Sequence, residues 1–290
     1  MSNDPIMQNA IQRKSKAPRV HILLYTHNRA AEFENTIKAL KATDYENYKV
    51  YLLNNGSTDG TKEYFDSLPS DIFPEREIVH LPINIGSPGA RNWLLALPGQ
   101  DGCEFLAFFD DDVRVRPDWL IKMLEAMIDY PRAGVVGAKV LNHSLPKVVQ
   151  HSGALLTQAK DWINHVALWS NEPDQGQFDA LSERDYLMGC VMLYRMDSIR
   201  DVGSFDIQFS PTQFEDVDHH LRLRLKGWKV LFHGGVEAWH QRISGGKQNP
   251  GHTANRYKLQ MKYSEQQAQQ IIDQGAALDF LEKHPWARQG

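Results

Sequence analysis

The feature that most constrains this chain is a regular alternation of short β-rich runs and amphipathic stretches that begins at Val20. "VHILLY" (20–25), "YKVYLLNN" (48–55), "REIVHL" (76–81) and "EFLAFFD" (104–110) read as strands. "RAAEFENTIKALKA" (29–42), "GTKEYFDSL" (60–68), about 88–97 and about 117–130 read as helices, the first with Phe33, Ile37 and Leu40 on one face. Strands joined to helices by short links predict an α/β fold whose parallel sheet is covered on both faces. At 290 residues the chain is long enough for two halves sharing one core.

The pattern loosens after residue 133. "AGVVGAKV" (133–140) and "HSGALLT" (151–157) are candidate strands, 158–184 is polar and irregular, and "DYLMGCVMLYR" (185–195) is another apolar run. "FEDVDHHLRLRLKGW" (214–228) predicts a helix with Val217, Leu221, Leu225 and Trp228 as its buried stripe. "KVLFHGG" (229–235) reads as a closing strand and about 253–274 as one long polar helix. No internal repeat is present.

Composition excludes several classes. A net charge of −4 leaves no electrostatic footprint for nucleic acid. The two cysteines, Cys103 and Cys190, are too far apart for a CxxC site, which argues against a disulfide framework or thiolate zinc and suits a reducing compartment. The polar start has no apolar signal region, and no run approaches the ~20 residues that span a bilayer. The expectation is a cytoplasmic protein with at most peripheral membrane contact, at the inner face, through "NRYKLQMKY" (255–263).

In open α/β sheets ligands bind where the carboxyl ends of the strands converge. Here those ends carry "THNR" (26–29), "NNGSTDGT" (54–61), "NIGSPGARN" (84–92) and three consecutive aspartates, Asp110, Asp111 and Asp112. Any one of these loops is accounted for by turn chemistry. Four on one edge, each rich in donors or acceptors, are harder to explain as turns alone and resemble the lip of a nucleotide pocket. Three like charges at the end of a buried strand also call for a positive partner, a metal ion or a cationic side chain.

The ordered set "VHILLYTHNR", "LLNNGSTDGT", "NIGSPGARN", "FFDDDV", "GCVMLYR", "FEDVDHHLRLR" and "WH" resembles the family 2 inverting glycosyltransferases of the GT-A fold, over about 20–240. The resemblance implies a mostly parallel, Rossmann-like central sheet flanked by helices, with a C-terminal helical extension. It divides the chain into a polar tail (1–18), a nucleotide-sugar-binding half (19–112), an acceptor-binding and catalytic half (113–245) and a lid-like loop with a helical tail (246–290). It also implies a metal-dependent enzyme that moves a sugar from a nucleotide diphosphate to a hydroxyl on a glycan, a lipid-linked intermediate or a protein.

In that family a D-x-D pair holds Mn²⁺ or Mg²⁺, which maps to Asp110 and Asp112, and His240 matches a position that completes the metal site. Strand alternation would put Asp110 and Asp112 on one side and Asp111 on the other. The aspartate of an E-D pair opening a helix is the base, which maps to Asp216 beside Glu215. Thr26, Asn28, Arg29, Asn54, Asp59, Arg91, Asp110 and Asp111 map to the nucleotide pocket. Asn54 stands where the family usually has an aspartate that reads uracil; its amide can still serve that N–H, so uridine or thymidine diphosphate is the expected donor. Trp162 and Trp169 are candidates for stacking on an acceptor sugar, with core packing as the competing role. Arg242 and Lys247 are candidates for a lid over the pyrophosphate.

Three other readings compete. A metal hydrolase built on His219, His220, His233, His240 and the aspartates lacks an HExxH, and the adjacent His219 and His220 on a helix diverge by about 100°. A nucleotidyltransferase needs a Gly-rich basic loop where this chain has "THNRAAE". A catalytically inactive nucleotide-sugar-binding module is separated from an enzyme by its lack of product.

Overall fold

The computed structural model describes residues 17–241 and 250–284. Strands β1 (Val20–Thr26), β2 (Tyr48–Asn55), β3 (Arg76–Leu81) and β4 (Phe105–Phe109) lie parallel in the order β3-β2-β1-β4. Helices α1 (Ala30–Lys41), α2 (Thr61–Ser67) and α3 (Gly86–Leu95) connect them. Alternate strand residues enter different cores. Val20, Ile22, Leu24, Phe105, Ala107 and Phe109 pack with Phe33, Ile37 and Leu40 of α1. Leu23, Leu106 and Phe108 pack with Ala90 and Leu94 of α3 on the opposite face. Because both faces are buried, β1 and β4 are nearly unbroken apolar runs rather than alternating ones.

The second half supplies β5 (Val113–Val115), α4 (Trp119–Asp129), β6 (Ala133–Asn142), β7 (Val148–His151), β8 (Ala154–Leu156), β9 (Val166–Leu168), β10 (Glu172–Pro173), β11 (Leu181–Arg184), β12 (Val191–Arg195), α5 (Met196–Val202), α6 (Glu215–Leu225) and β13 (Lys229–His240). Strand β12 lies antiparallel between β4 and β6, and β7 and β10 extend that edge. Strand β13 runs parallel to β6 and carries β11 and β5 antiparallel. The sheet is therefore parallel through the first half and mixed beyond β4. Pairing of β12 with β4 sets Val191 opposite Phe109, so the Gly189–Cys190 turn lies beside the aspartates.

Several elements differ from the sequence expectation for local reasons. The predicted strand 151–157 breaks at Gly153, whose φ of 82° is left-handed and whose missing Cβ leaves room for the Arg184 side chain. The closing strand does not stop at Gly235; a register shift between His233 and Glu237 carries it on to His240. The long helix expected over about 253–274 is instead two, α7 (Pro250–Lys262) and α8 (Glu265–Ile272), and a third, α9 (Ala276–Lys283), follows. Ser264 and Gln267 form a capping box that starts α8, and Gly275, at φ 80°, separates α8 from α9. Among the described residues no helix is long and apolar enough to cross a membrane.

Candidate active site

The parallel register puts Thr26, Asn54 and His80 abreast at the carboxyl ends of β1, β2 and β3. Strand β4 ends at Phe109, and the chain turns before β5, so the three aspartates fan out instead of alternating. Asp110 Oδ1 faces Arg91 Nη2 at 3.5 Å. Asp111 Oδ2 accepts a hydrogen bond from Thr26 Oγ1 at 2.5 Å. Asp112 Oδ1 lies 3.1 Å from His240 Nε2, and its Oδ2 lies 3.8 Å from Arg29. Each carboxylate thus belongs to a different neighbour.

Burial dominates the electrostatics here. It pushes the Asp110 carboxyl up to about 7, although Arg91 and His240 pull the other way. Burial likewise pushes Asp111 up to about 6 against the Thr26 hydrogen bond. Burial works against protonation of His240, but the hydrogen bond and charge of Asp112, with Asp110 and Asp111 behind it, hold the imidazole above its usual range. Carboxyls held up by burial and an imidazole held up by carboxylates mark a place that favours added positive charge. Among the described residues no three acidic, histidine or cysteine side chains already converge as a metal cage. The Asp112–His240 pair with Asp110 nearby nevertheless suits Mn²⁺ or Mg²⁺, ions commonly bound by one or two carboxylates together with substrate phosphates.

The other side of the site is the start of α6. Asp216 Oδ2 accepts from the Gly189 amide at 2.8 Å and its Oδ1 from the Val217 amide at 2.8 Å, which fixes the carboxylate plane. A Cβ on Gly189 would stand 2.9 Å from Asp216 Oδ2 and 3.1 Å from Arg91 Nη1, so any other residue would push against both side chains. Glu215 Oε1 accepts from Ser87 Oγ at 2.5 Å, and Ser87 Oγ in turn lies 2.5 Å from Tyr25 Oη. Burial and the neighbouring Asp216 both raise the Glu215 pKa. Tyr25, Arg91, Asp110, Gly189, Glu215 and Asp216 share the walls of one cavity of about 250 Å³.

Arg91 joins the two sides. It is buried, donates to the Gly189 carbonyl at 3.1 Å and lies over Tyr25, Phe108 and Phe205. Burial opposes its charge, but Tyr25, Asp110, Glu215 and Asp216 raise its pKa overall. Its Nε and Nη1 have no hydrogen-bond partner, so the guanidinium has donors to spare.

The remaining sequence candidates are placed as follows. Asn28, at φ 55°, accepts from the Thr58 amide and ties the first loop to the second. Asn54 Oδ1 accepts from the Ser57 amide at 3.0 Å, and its Nδ2 faces His80 Nδ1 at 3.3 Å. Asp59 accepts from the amides of Ala30 and Thr61 and from Thr61 Oγ1, closing the first turns of α1 and α2. Trp162 is buried edge-on to Tyr263, and Trp169 stacks on Phe280 at 4.4 Å. Neither tryptophan is a wall of the cavity, so core packing, not acceptor stacking, is what the structure gives them. Arg242 and Lys247 lie outside the described residues.

His219 stacks on Phe205 and bonds the Gly203 carbonyl, while His220 accepts from the Leu187 amide and meets Tyr194 Oη. His220 supports the turn before Gly189 and His219 the loop at Gly203, and both pack against Tyr194, so these two histidines do not form the metal site that the hydrolase reading needs. Sequence reasoning missed Tyr25, Ser87 and Gly189. "NIGSPGARN" contained the serine, but nothing local showed that it would reach Glu215, 128 residues on.

The profile of glycosyl transferase family 2 matches residues 21–203. The N-acetylglucosaminyl-diphospho-decaprenol L-rhamnosyltransferase of Mycobacterium tuberculosis is 24% identical over 257 residues, 82% of this chain and 81% of that protein. Among solved structures, GalNAc-T7 with UDP, GalNAc and Mn²⁺ superposes with a TM-score of 0.65 at 12% identity, covering 93% of this chain and 57% of that one. The mannosyltransferase PcManGT of Pyrobaculum calidifontis, in complex with GDP-Man and Mn²⁺, gives 0.58 at 15% identity, covering 98% and 80%.

Proposed function

This chain belongs to glycosyl transferase family 2 and has the GT-A fold, and on that footing we propose that it transfers a sugar from a nucleotide diphosphate donor to an acceptor hydroxyl with inversion, using Asp216 as the base. The observation that carries this reading is the shared cavity, in which the oriented Asp216 carboxylate and the buried Arg91 face the end of β4. The donor's nucleotide occupies the edge formed by Thr26, Arg29, Asn54 and Asp111. The acceptor enters over Asp216.

The hydroxyl oxygen forms the new bond to the anomeric carbon while the bond to the diphosphate oxygen breaks. The hydroxyl proton passes to Asp216, whose two oxygens are each oriented by one backbone N–H and keep lone pairs free. A carboxylate suffices as base because the hydroxyl acidifies as it attacks an oxocarbenium-like carbon. Attack from the face opposite the diphosphate inverts the anomeric centre. Arg91 supplies fixed positive charge near the leaving group. Asp110, Asp112 and His240 would hold the Mn²⁺ or Mg²⁺, which when bound acts as a Lewis acid on the diphosphate. The acceptor is a glycan, a lipid-linked intermediate or a protein hydroxyl; the mycobacterial relative makes a polyprenyl-diphosphate-linked sugar the first to test.

The test is product analysis with UDP-, dTDP- and GDP-sugars, Mn²⁺ and an acceptor panel. The expected result is free nucleoside diphosphate together with a glycoside of inverted configuration. Pyrophosphate release would point to nucleotidyl transfer, and a retained anomer would remove Asp216 from the role of base.

A further inference from the structure

The turn that delivers Glu215 and Asp216 is built in an unfavourable conformation. Gln213 and Phe214, the two residues before α6, have φ of 83° and 72°. Left-handed backbone is uncommon for residues other than glycine, and for a bulky side chain such as Phe214 it persists only where the surroundings enforce it. The enforcing contacts come from two directions. From α3, the Ser87 amide donates to the Pro211 carbonyl at 2.7 Å, and Asn92 exchanges two hydrogen bonds with the backbone of Phe205.

From α7 comes Asn255. Its side chain is buried, and its amide nitrogen donates to the carbonyls of Phe209 (2.7 Å), Thr212 (2.9 Å) and Gln213 (3.1 Å). Three carbonyl acceptors can be served only by the NH₂ end, so the orientation of the amide is fixed. Its Oδ1 accepts from Lys258 Nζ, which also donates to the Gln208 carbonyl. Eight residues after Asn255, Tyr263 Oη donates to Asp218 of α6 at 2.7 Å. The family match ends at residue 203, so this whole clasp lies beyond it.

We propose that Asn255 is a positioning residue for the transfer step: by holding the carbonyls of 209–213 it imposes the left-handed turn that aims Asp216 at the cavity. The proposal rests on the reading of Asp216 as base. Asn255 touches neither donor nor acceptor and acts only through the turn. It gives the C-terminal helices a part in catalysis rather than in stability alone.

The experiment compares the full chain with Asn255→Asp, which keeps the shape and the Lys258 contact but removes the donors, and with Asn255→Ala. Hydrogen exchange is read at the amides of Gly189, which donates to Asp216, and Asp218, which donates to Phe214. Exchange there is expected to quicken at least tenfold, with the β1–β2 ladder unchanged. Nucleoside diphosphate release from the nucleotide-sugar panel is expected to lose roughly 10–100-fold in kcat with nucleotide affinity intact, the scale of a misplaced catalytic group.

The same loss is then measured in a Gln213→Gly background, which relieves the left-handed strain at the first of the two positions. It should be several-fold smaller there. Unchanged exchange and kcat, a uniform quickening across the ladder, or an undiminished loss beside Gln213→Gly would each overturn the proposal. If Asp216→Asn released nucleotide as fast as the unaltered chain, or no sugar of the panel turned over, the enzymatic reading would fail instead. Exchange at Gly189 would still decide whether Asn255 holds the turn.

Discussion

Asp216→Asn is expected to lower kcat for glycosyl transfer by roughly 10³-fold, or about 4 kcal/mol in barrier, within the range for loss of a general base. Asparagine has nearly the same shape, and its amide oxygen can still take the Gly189 N–H that now meets Asp216 Oδ2. What it cannot do is accept a proton. Donor binding should be nearly unchanged, because the nucleotide edge lies on β1 to β4 while Asp216 opens α6. Steady-state kinetics and a nucleotide titration on one preparation separate the two effects. Preserved kcat would remove Asp216 as base; weakened nucleotide binding with preserved kcat would make it a binding residue.

Asp112→Asn carries the second large effect. The substitution keeps an oxygen for His240, which lies 3.1 Å from Asp112 Oδ1, but removes the negative charge. Losing a mere outer partner of a metal ligand typically costs roughly 10–100-fold in metal affinity, so losing a direct ligand's charge should cost at least that. Nucleotide binding should therefore lose its dependence on Mn²⁺, while the metal-free affinity stays where it was. The conservative shape matters because it keeps an acceptor oxygen for His240, which a deletion of the side chain would leave without a partner. Affinity that still rises with Mn²⁺ in Asp112→Asn would place the ion elsewhere.

The first half of the fold was legible because β1, β2 and β4 are buried almost throughout and α1 keeps its apolar stripe. β2 and β3 fall on the residues expected from their apolar pattern. Beyond residue 133 the signals weaken for identifiable reasons. β9, β10 and β11 are two to four residues long, too short for any periodicity to show. In α6 a stripe of Val217, Leu221, Leu225 and Trp228 was expected; Val217 and Leu221 are buried, Leu225 is half-buried and Trp228 lies past the end of the helix, while Asp218, His219, His220 and Arg224 are buried. Their hydrogen bonds and ion pairs are long-range, so the sequence pattern shows only polar residues.

The candidate site divides in the same way. The aspartates, Arg91 and Asp216 could be singled out because their motifs stand at the ends of strands and the start of a helix, and Arg91, Asp110 and Asp216 do line one cavity. Asp59 was assigned to the nucleotide, yet its oxygens are taken by the amides that begin α1 and α2, which an Asp-Gly turn does not announce. Asn255 sits in a polar stretch with nothing to distinguish it from its neighbours. Its part depends on the carbonyls of a turn more than forty residues earlier, as with Gln213 at a separation of 42.

The central claim is that the edge of β1 to β4, with Asp110, Asp112 and His240, binds a nucleoside diphosphate through a divalent ion. Calorimetric titration of UDP, dTDP, GDP and CDP, each with and without Mn²⁺, tests it most directly. The account predicts that one uridine or thymidine nucleotide binds clearly more tightly than the others, and only when Mn²⁺ is present. Absent or metal-independent binding of all four would contradict it and leave a GT-A fold without a working donor site.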